Sequence, residues 1–530
     1  MSCLLETSPR ASSSRLAQSG LTAQLLSWNM RSKRPDFRLS QLIETESIVE
    51  ESIDRDVVIN SLCTDSRRAT PGCLFIAMPG LRTDGADHIE EAVTRGAVAV
   101  LSEKDHWVPR QAKLVRVLNV RRALAVAAQR FHDHPQLKMR LIGVTGTSGK
   151  TVVTSLLHEL ISPDQKCGLL GTIHYHLGSR TLPSYRTTPE PVDLYSMLGQ
   201  MRDNDCENCV IEVSSHGIDQ GRVADLDFSS IALLNLGEQH LDYHGSMAEY
   251  LDTTLRIFDG RNGSLPKTAV INADDALSQE LVAKIPVEVD VVKIGQSEGC
   301  DLRASSAECD SEGIRFSLQW ADEVFEIRAP LVGRFNVTNI LAALALGAAA
   351  GVEREVLVRR LKTVGQIRGR METISGGQSF PVVVDYMHTP ESYLSGLATL
   401  RELTKGRLIV VYGCGGDRDR TIRSKISRSV KKLSDLAFAT ADNPRSEDLS
   451  QIFEDMQLGA PASDTMQYIE NRRLAIGMAI EEARKGDIVL VAGKGHESYQ
   501  EFADSVTPFD DRSVVREIIR RSQKGEASKA

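Results

Sequence analysis

The chain has 530 residues, too many for one hydrophobic core, and domains of roughly 100 to 200 residues predict about three of them. Hydrophobic residues make up 41% and charged residues 25%, and no apolar run approaches the ~20 residues that cross a bilayer, which excludes a membrane-spanning protein. A formal charge of -8, with both signs interspersed, argues against nucleic acid as the main partner. Nine scattered cysteines are typical of a reducing compartment, so we expect a cytoplasmic protein.

The sequence divides into four segments. Residues 1–34 are rich in serine but lack the apolar core of a secretory signal, which predicts a disordered extension or translation that begins at Met30. Short apolar runs that alternate with a helical pattern predict a small α/β domain over 35–137. A central domain is predicted over 138–367 and a C-terminal domain over 368–530.

The central domain opens with MRLIGVTGTSGKTVVTSLLHEL, an apolar strand, a glycine-rich turn and an amphipathic helix. Glycines let the backbone approach a phosphate, the helix start offers free N–H groups, and Lys150 adds a positive charge. Thr151 can then hold a magnesium ion. The strict phosphate-loop pattern fails, because five residues separate Gly143 from Gly149. An ordinary turn with a helix cap therefore remains the alternative to a nucleotide site.

The C-terminal segment repeats a strand followed by a polar turn four times. The strands are FPVVVDY, RLIVVYG, LAFATAD and DIVLVAG, and helical patterns between them predict a parallel, doubly wound sheet. The turns bring Asp385 with His388, then GCGGDRD, DNPR and GKGHE, to the edge where such sheets bind ligands. Polar turns that only contact solvent would explain one or two of these segments. Four such turns at one edge of the sheet favour a ligand-binding site.

The order of motifs resembles that of the Mur ligases, and within them the members that add the third residue of the peptidoglycan stem peptide. The similarity runs from Ser61 to Ile519, and many ordered motifs make it more specific than any single one. The motifs are GTSGKT, EVSSHG, HLDYHG, GRFNVTNILAALA, GRME, DYMHTP, GCGGDRD, DNPR and GKGHE.

The resemblance implies an α/β fold of three domains: a small uridine-binding module, a central ATPase domain of the phosphate-loop type with a mostly parallel sheet, and a C-terminal Rossmann-like domain. It implies that ATP phosphorylates the carboxylate of UDP-N-acetylmuramoyl-L-alanyl-D-glutamate, with Mg²⁺ as cofactor. The amine of the incoming amino acid then attacks the acyl phosphate and forms an amide. We also expect a monomer.

The resemblance also assigns site residues. Catalytic roles fall to Lys150, Glu212 and His240, and the magnesium ligands are Thr151, Glu212 and His240. The predicted ATP residues are Gly146, Thr147, Ser148, Gly149, Lys150, Thr151, Asn336, Arg370 and Asp385. The predicted residues for the UDP substrate are Ser66, Thr187, Thr188, Ser214, Gln220 and Arg222.

The amino acid implied by DNPR is meso-diaminopimelate rather than lysine. Its side chain ends in a zwitterion, whose carboxylate can pair with the planar guanidinium of Arg445. Lysine lacks this distal carboxylate and would leave the arginine unpaired, which disfavours lysine binding. The predicted residues for this amino acid are Arg418, Asp442, Asn443, Pro444, Arg445, Gly493 and Glu497.

Three positions depart from the family pattern. Ser148 stands where the family has asparagine, Gln239 where it has aspartate, and Thr254 where it has a lysine that is carbamylated to bind a second magnesium. Two hypotheses follow, a working ligase with a rebuilt metal site, and a silent or slow paralogue that acts as a binding or assembly partner. Folylpolyglutamate synthesis is a third interpretation, which DNPR disfavours.

Overall fold

The computed structural model describes residues 36–51, 56–80 and 83–527. The extension predicted over 1–34 lies outside the described residues. The described chain divides into two compact units, which we name by their order: an amino-terminal unit of residues 36–303 and 338–357, and a carboxy-terminal unit of residues 304–337 and 358–527.

The amino-terminal unit begins with a small α/β sheet, as the alternation of apolar runs predicts. Its elements are β1 (Phe37–Arg38), α1 (Leu39–Leu42), β2 (Ile48–Glu51), β3 (Val58–Ile59), β4 (Ser61–Cys63), β5 (Cys73–Ile76), α2 (Ile89–Thr94), β6 (Ala97–Ser102), β7 (Lys113–Val117) and α3 (Val120–Phe131). The sheet order is β2-β7-β6-β5-β4, and only β2 is antiparallel to its neighbour in these described pairs. Buried Leu74, Leu101 and Leu124 belong to its core.

The same unit continues into a larger sheet. Its elements are β8 (Arg140–Thr145), α4 (Lys150–Ile161), β9 (Cys167–Leu170), β10 (His174–His176), β11 (Thr181–Pro183), α5 (Pro191–Asp203), β12 (Asn208–Glu212), α6 (Ser215–Asp219), β13 (Phe228–Leu233), α7 (Leu241–His244), α8 (Met247–Leu255), β14 (Thr268–Asn272), α9 (Ala276–Val282) and β15 (Asp290–Gly295). The strand order is β11-β10-β9-β12-β8-β13-β14-β15, and β9 to β15 in this order are parallel.

Strand β8 lies in the middle of this sheet and is buried from Leu141 to Thr145. Strands buried on both faces are apolar along their length, which explains the run LIGV at the start of the motif. Because β8 and β12 are parallel neighbours, with Val144 opposite Glu212, their carboxyl ends meet at one edge. The glycine-rich turn and Glu212 therefore lie side by side.

Three elements contain residues of both units: β16 (Leu302–Asp310), α10 (Asn336–Ala349) and α11 (Arg354–Leu361). The remaining elements of the carboxy-terminal unit are β17 (Gly313–Trp320), β18 (Glu323–Ala329), β19 (Glu372–Ile374), β20 (Val382–Asp385), α12 (Pro390–Leu403), β21 (Leu408–Tyr412), α13 (Thr421–Leu433), β22 (Leu436–Thr440), α14 (Leu449–Gln457), β23 (Met466–Ile469), α15 (Arg472–Glu482), β24 (Ile488–Ala492), β25 (Tyr499–Glu501), β26 (Val506–Pro508) and α16 (Asp511–Ala527).

The main sheet of this unit has the order β19-β20-β24-β21-β22-β23. The four strands predicted from the sequence, β20, β21, β22 and β24, are parallel neighbours, which confirms the doubly wound sheet. The structure adds a parallel β23 at one edge and an antiparallel β19 at the other. All four predicted polar turns therefore leave the sheet at the same edge.

Within the described ranges, every helix is too short or too polar to cross a membrane.

Candidate functional site

The turn between β8 and α4 has the shape of a phosphate loop. Gly146 and Gly149 have φ angles of 132° and 93°, which favour glycine, and a Cβ at Gly149 would collide with the side-chain oxygen of Asn339. Helix α4 begins at Lys150, so its first N–H groups face the turn. The Lys150 Nζ donates to the carbonyl oxygens of Gly146 at 2.5 Å and Thr147 at 3.1 Å.

Two residues outside the motif hold this loop in place. The side chain of Asn235 accepts from the Ser148 N–H at 2.9 Å and donates to the Ser148 carbonyl at 3.1 Å. The Thr147 hydroxyl lies 3.1 Å from the Tyr250 hydroxyl. Sequence reasoning missed Asn235, Tyr250 and Asn339, although each lies within or beside a motif that it used.

Glu212 is the centre of a buried hydrogen-bond network beside the loop. Its Oε2 accepts from Thr151 Oγ1 at 3.0 Å and from Thr172 Oγ1 at 2.9 Å, and its Oε1 accepts from the Thr172 N–H at 2.8 Å. The Thr172 hydroxyl also lies 3.1 Å from that of Thr187. A continuous chain of oxygen atoms thus links the phosphate loop to Thr187, a residue predicted to hold the UDP substrate.

The donor set around Glu212 fits a magnesium ion. Mg²⁺ prefers oxygen ligands at about 2.0–2.1 Å in an octahedron, which places neighbouring ligands roughly 3.0 Å apart. The separation of 3.0 Å between Thr151 Oγ1 and Glu212 Oε2 matches that spacing. Both residues are buried, with exposed fractions of 8% and 1%. They would therefore suit two of the oxygen positions of such an ion, and their role as ligands stays a prediction.

His240, the third predicted magnesium ligand, follows strand β13 and precedes helix α7. It has a left-handed backbone with φ 60°, and its ring centroid lies 4.7 Å from that of His216, edge to face. Burial, and next the charge of His244, lower the pKa of His216. In the part of the chain that the structure describes, His, Cys, Asp and Glu form no cluster of three that could hold a metal. The role of His240 stays a prediction.

Four of the residues predicted to hold the UDP substrate lie together at the end of β12. The Thr188 hydroxyl donates to the Glu212 carbonyl at 2.7 Å and lies 3.0 Å from the Ser214 hydroxyl. Arg222 donates to the Thr188 carbonyl at 3.2 Å and to the side chain of Gln220. Ser66 begins a short 3-10 helix between β4 and β5 of the small α/β region, and its hydroxyl donates to Glu91 at 2.6 Å.

The residues predicted to bind the amino acid meet in the carboxy-terminal unit. Asn443 donates to Glu497 Oε2 at 2.8 Å. Between them lies Lys494, whose side chain is fully buried and whose Nζ is 2.9 Å from both Asn443 Oδ1 and Glu497 Oε2. Sequence reasoning missed Lys494, which stands inside GKGHE and supplies the cation that compensates Glu497.

Arg445 projects from the same DNPR turn. Its backbone is left-handed at φ 53°, its Nη1 donates to the Gly416 carbonyl at 2.7 Å, and its Nε donates to Glu501 at 3.2 Å. Gly493 donates its N–H to the Asp385 carbonyl at 3.1 Å, whereas Arg418 is exposed. The remaining predicted residues, Asp442 and Pro444, lie in the same turn.

The three nucleotide residues predicted in the carboxy-terminal unit have separate surroundings. The Asn336 amide donates to the Val332 carbonyl at 2.8 Å. The Arg370 guanidinium lies 4.6 Å from the Tyr386 ring centroid. Asp385 accepts from the Met371 N–H at 2.6 Å, and burial raises the pKa of Asp385 to about 6, although Arg370 opposes that shift. Their roles toward ATP stay predictions.

Comparison with known proteins identifies the family. Residues 58–132 match the catalytic domain of the Mur ligase family, 144–347 the Mur ligase middle domain, and 369–495 the glutamate ligase domain of Mur ligases. A relative from Solibacter usitatus is 40% identical over 87% of this chain and 94% of its own length. The chain belongs to the Mur ligase family.

Two relatives of this Mur ligase have the same name. The Solibacter protein and one from Geobacillus thermodenitrificans, 41% identical over 87% of this chain and 95% of its own length, are both called UDP-N-acetylmuramoyl-L-alanyl-D-glutamate--2,6-diaminopimelate ligase. A solved structure of that name is 32% identical, covers 89% of this chain and 97% of its own, and has a TM-score of 0.63. The predicted family and the predicted α/β architecture are confirmed.

The Mur ligase lacks a lysine at position 254. Thr254 lies on helix α8, is 1% exposed, and its hydroxyl donates to the Tyr250 carbonyl of the same helix at 2.9 Å. That bond occupies the hydroxyl inside the helix.

The second departure near the predicted metal site is Gln239, whose N–H donates to the Gly237 carbonyl at 2.7 Å. Of the predicted metal ligands, Thr151 and Glu212 are brought together.

Proposed function

We propose that this Mur ligase joins meso-diaminopimelate to UDP-N-acetylmuramoyl-L-alanyl-D-glutamate in an ATP- and Mg²⁺-dependent reaction of peptidoglycan precursor synthesis in the cytoplasm. Its relatives at 40% and 41% identity carry the name of this reaction. The observation that carries the proposal is the charged pocket around DNPR, where Asn443, Lys494 and Glu497 bond to each other beside Arg445.

The reaction must activate a carboxylate, which is a poor electrophile. Transfer of the γ-phosphoryl group of ATP to a carboxylate oxygen gives an acyl phosphate and ADP. The amine of diaminopimelate then attacks the carbonyl carbon, inorganic phosphate leaves, and the amine loses a proton as the amide forms. Phosphoryl transfer needs positioning and positive charge more than covalent chemistry from the protein.

The amino-terminal unit supplies groups that suit the first step. Lys150 and the N–H groups at the start of α4 offer positive charge and donors to phosphate oxygens. The oxygens of Thr151 and Glu212 would hold Mg²⁺, which neutralises negative charge on the phosphates when it is bound. Thr187 and Thr188, tied to Glu212 through hydroxyl groups, would keep the substrate carboxylate beside the loop.

The carboxy-terminal unit supplies groups that suit the nucleophile. The distal end of diaminopimelate carries a carboxylate and an ammonium on one carbon. Arg445 offers the carboxylate a planar fork, and Glu497 with Asp442 offers the ammonium anionic oxygens. Lysine has no distal carboxylate and would leave Arg445 without that partner, which disfavours lysine.

The alternative of a silent paralogue rests on the departures at Ser148 and Gln239 and, above all, on Thr254. Its position removes a family lysine, but the Thr151 and Glu212 pair, the phosphate loop and the DNPR pocket are all in place. We therefore favour a working ligase whose magnesium site depends on Thr151 and Glu212.

A phosphate-release assay tests the proposal. The reaction contains the UDP-muramoyl dipeptide, ATP, Mg²⁺ and diaminopimelate, and Lys150→Ala serves as the inactive control. We expect turnover that requires diaminopimelate and is several times faster than with lysine. Turnover no higher than in the control would establish the silent paralogue instead.

The same assay tests the assignment of specificity. Arg445→Ala should raise the KM for diaminopimelate roughly 10- to 100-fold, because a charge-assisted hydrogen bond contributes about 1.5–3 kcal/mol. The KM for ATP should stay within about twofold, since Arg445 belongs to the amino-acid pocket. An equal rise in both constants would show that Arg445 has been given the wrong role.

A further inference from the structure

Strand β25 lies directly against the DNPR turn. It carries Gln500 and Glu501, which are each 6% exposed, far less than an average glutamine or glutamate on a protein surface. Gln500 Nε2 donates to the carbonyl oxygens of Ala441 at 3.3 Å and Asp442 at 3.1 Å. Buried polar side chains of this kind are retained where they satisfy a backbone that lacks regular pairing.

The backbone of Glu501 continues this contact. Its carbonyl accepts from the Arg445 N–H at 3.0 Å, and its N–H donates to Asn443 Oδ1 at 3.1 Å. Arg445 has a left-handed backbone, which is uncommon for a residue with a Cβ and persists only where neighbours impose it. The bond to the Glu501 carbonyl is one such restraint.

The side chain of Glu501 also fixes the guanidinium of Arg445. Glu501 Oε2 accepts from Arg445 Nε at 3.2 Å, with side-chain exposures of 8% and 20%. Arg445 Nη1 donates to the Gly416 carbonyl at 2.7 Å. In the described part of the chain, no residue accepts from Arg445 Nη2, so this edge of the fork is left for another acceptor.

Two ion pairs lie beside the DNPR turn. Arg445 is paired with Glu501, and Lys494 is paired with Glu497, while Asp442 adds a further carboxylate and Arg418 a further cation. A pocket of this kind suits a ligand end that carries one charge of each sign. Removing Glu501 would leave an excess cation and would free the guanidinium to change its rotamer.

We propose that Glu501 is a positioning residue for amino-acid recognition, which orients the Arg445 guanidinium so that its remaining edge meets the distal carboxylate of the amino-acid substrate. Glu501 acts through Arg445 and does not itself touch the substrate. The inference rests on the proposed function and adds to it the residue that sets the selectivity of the pocket.

Steady-state kinetics of three variants test this role. Glu501→Ala removes the carboxylate, and Glu501→Gln keeps an oxygen that can accept from Arg445 Nε but carries no charge. Glu517→Gln is the matched control, because Glu517 lies on helix α16 with 38% of its side chain exposed, pairs with Arg473 at 2.7 Å, and is away from DNPR in sequence. Each variant is assayed with diaminopimelate and with lysine, at saturating ATP and UDP substrate.

Glu501→Ala should raise the KM for diaminopimelate about tenfold, while kcat at saturation and the KM for ATP stay within about twofold. Its preference for diaminopimelate over lysine should fall by about the same factor. Glu501→Gln should recover about half of the lost binding free energy, which leaves its KM about threefold above that of the unmodified chain, and Glu517→Gln should match the unmodified chain. Glutamine keeps the oxygen that accepts from Arg445 Nε, so a lower KM in Glu501→Gln than in Glu501→Ala shows that Glu501 orients Arg445. A general loss of structure would not be reversed in this way.

An unchanged KM for diaminopimelate in Glu501→Ala, or a parallel rise in the constants for ATP and diaminopimelate, would overturn the inference while the proposed function stands. Absence of diaminopimelate-dependent turnover in the unmodified chain would overturn both. If Glu501→Ala does not fold, the KM of Glu501→Gln decides: a rise of about threefold, confined to diaminopimelate, supports the role, and no rise refutes it.

Discussion

Lys150 and Lys494 both follow a glycine in the segment that comes after a parallel strand, but their ammonium groups have different partners. The Lys150 Nζ donates to carbonyl oxygens of its own loop. The Lys494 Nζ is fully buried and lies against Asn443 and the Glu497 carboxylate. Neutral carbonyl partners are easily exchanged for phosphate oxygens, whereas a buried ion pair is a permanent part of the structure.

The different partners of the two lysines illustrate two ways in which a protein prepares a binding site. In the phosphate loop, glycines and the helix start fix the donors, and the lysine can change partners during the reaction. In the amino-acid pocket, the charged groups hold each other in place before the substrate binds. Substitutions in the loop should therefore mainly lower the rate of catalysis. Substitutions in the pocket should lower both the stability of the protein and the binding of the amino acid.

The largest expected effect is on catalysis at Lys150. Lys150→Ala should lower kcat about a thousandfold, because it removes positive charge from the phosphoryl group in the transition state. The free energy of unfolding should change by less than about 0.5 kcal/mol, since the described hydrogen bonds of the Lys150 ammonium go to neutral carbonyl oxygens of its own loop. Phosphate release and urea unfolding measure the two quantities.

A matched control for that variant is Lys166→Ala, since Lys166 also donates to a backbone carbonyl, that of Asn204 at 3.1 Å, but on the surface. It should keep full activity. A loss of stability in Lys150→Ala as large as the loss in catalysis would remove the contrast between the two lysines.

The next effect is on stability at Lys494. Lys494→Met leaves the Glu497 carboxylate without its cation and should lower the free energy of unfolding by about 3 kcal/mol. We expect the low end of the range for buried pairs, because Asn443 still donates to Glu497. Lys485→Met, a change of the same type at an exposed site, should have almost no effect on urea unfolding. Equal stabilities of the two variants would contradict a structural role for Lys494.

A smaller effect is expected on pH dependence at Asp385. Folding raises the pKa of this carboxyl from its ordinary value to about 6, so the folded state binds the proton more tightly. The charged form of this half-buried group destabilises the folded state. The penalty is complete above about pH 6 and shrinks as the pH falls from there toward the ordinary pKa of an aspartate, about 4. The free energy of unfolding of Asp385→Asn, minus that of the unmodified chain, should therefore rise with pH. This difference should be about 2 kcal/mol larger at pH 7 than at pH 4.

Urea unfolding of both proteins between pH 4 and pH 7 measures this difference. Asparagine keeps an oxygen that can accept from the Met371 N–H, so the comparison isolates the charge. A difference that does not depend on pH would show that Asp385 is not destabilised in its charged form.

The smallest effect is expected at Thr254. Thr254→Val removes a hydroxyl that bonds only within helix α8 among the described contacts, and it should cost less than about 1 kcal/mol of stability. Phosphate release should stay within about twofold of the unmodified rate. A strong loss of activity, rescued by serine at 254, would show that this hydroxyl serves the magnesium site after all.

The sequence was enough to predict the framework of the fold. Long apolar runs bounded by glycine or polar turns identified β8, β20, β21, β22 and β24, because strands buried on both faces leave this pattern. Strand β23 was missed, since MQYI is short and only its first residue is buried. The antiparallel β19 was missed because its three residues, ETI, are too few to show an alternating pattern.

The site could be predicted only in part. Motifs located Lys150, Glu212 and Asn443, because turns after parallel strands meet at one edge. The partners of these side chains come from distant parts of the chain: Thr172 lies on a loop before β10, and Glu501 on a strand after GKGHE. Such pairings depend on packing and rotamers, which no local pattern encodes.

The close approach of Gly416 to the DNPR turn limits how this enzyme could be re-engineered for another amino acid. A Cβ at Gly416 would overlap the Pro444 carbonyl, and the Gly416 N–H donates to the Asn443 carbonyl at 2.9 Å. Libraries that randomise position 416 would thus consist mostly of misfolded clones. The position on β25 for altering substrate choice is Glu501, because its side chain acts on Arg445 while its backbone bonds to Asn443 and Arg445 do not depend on that side chain.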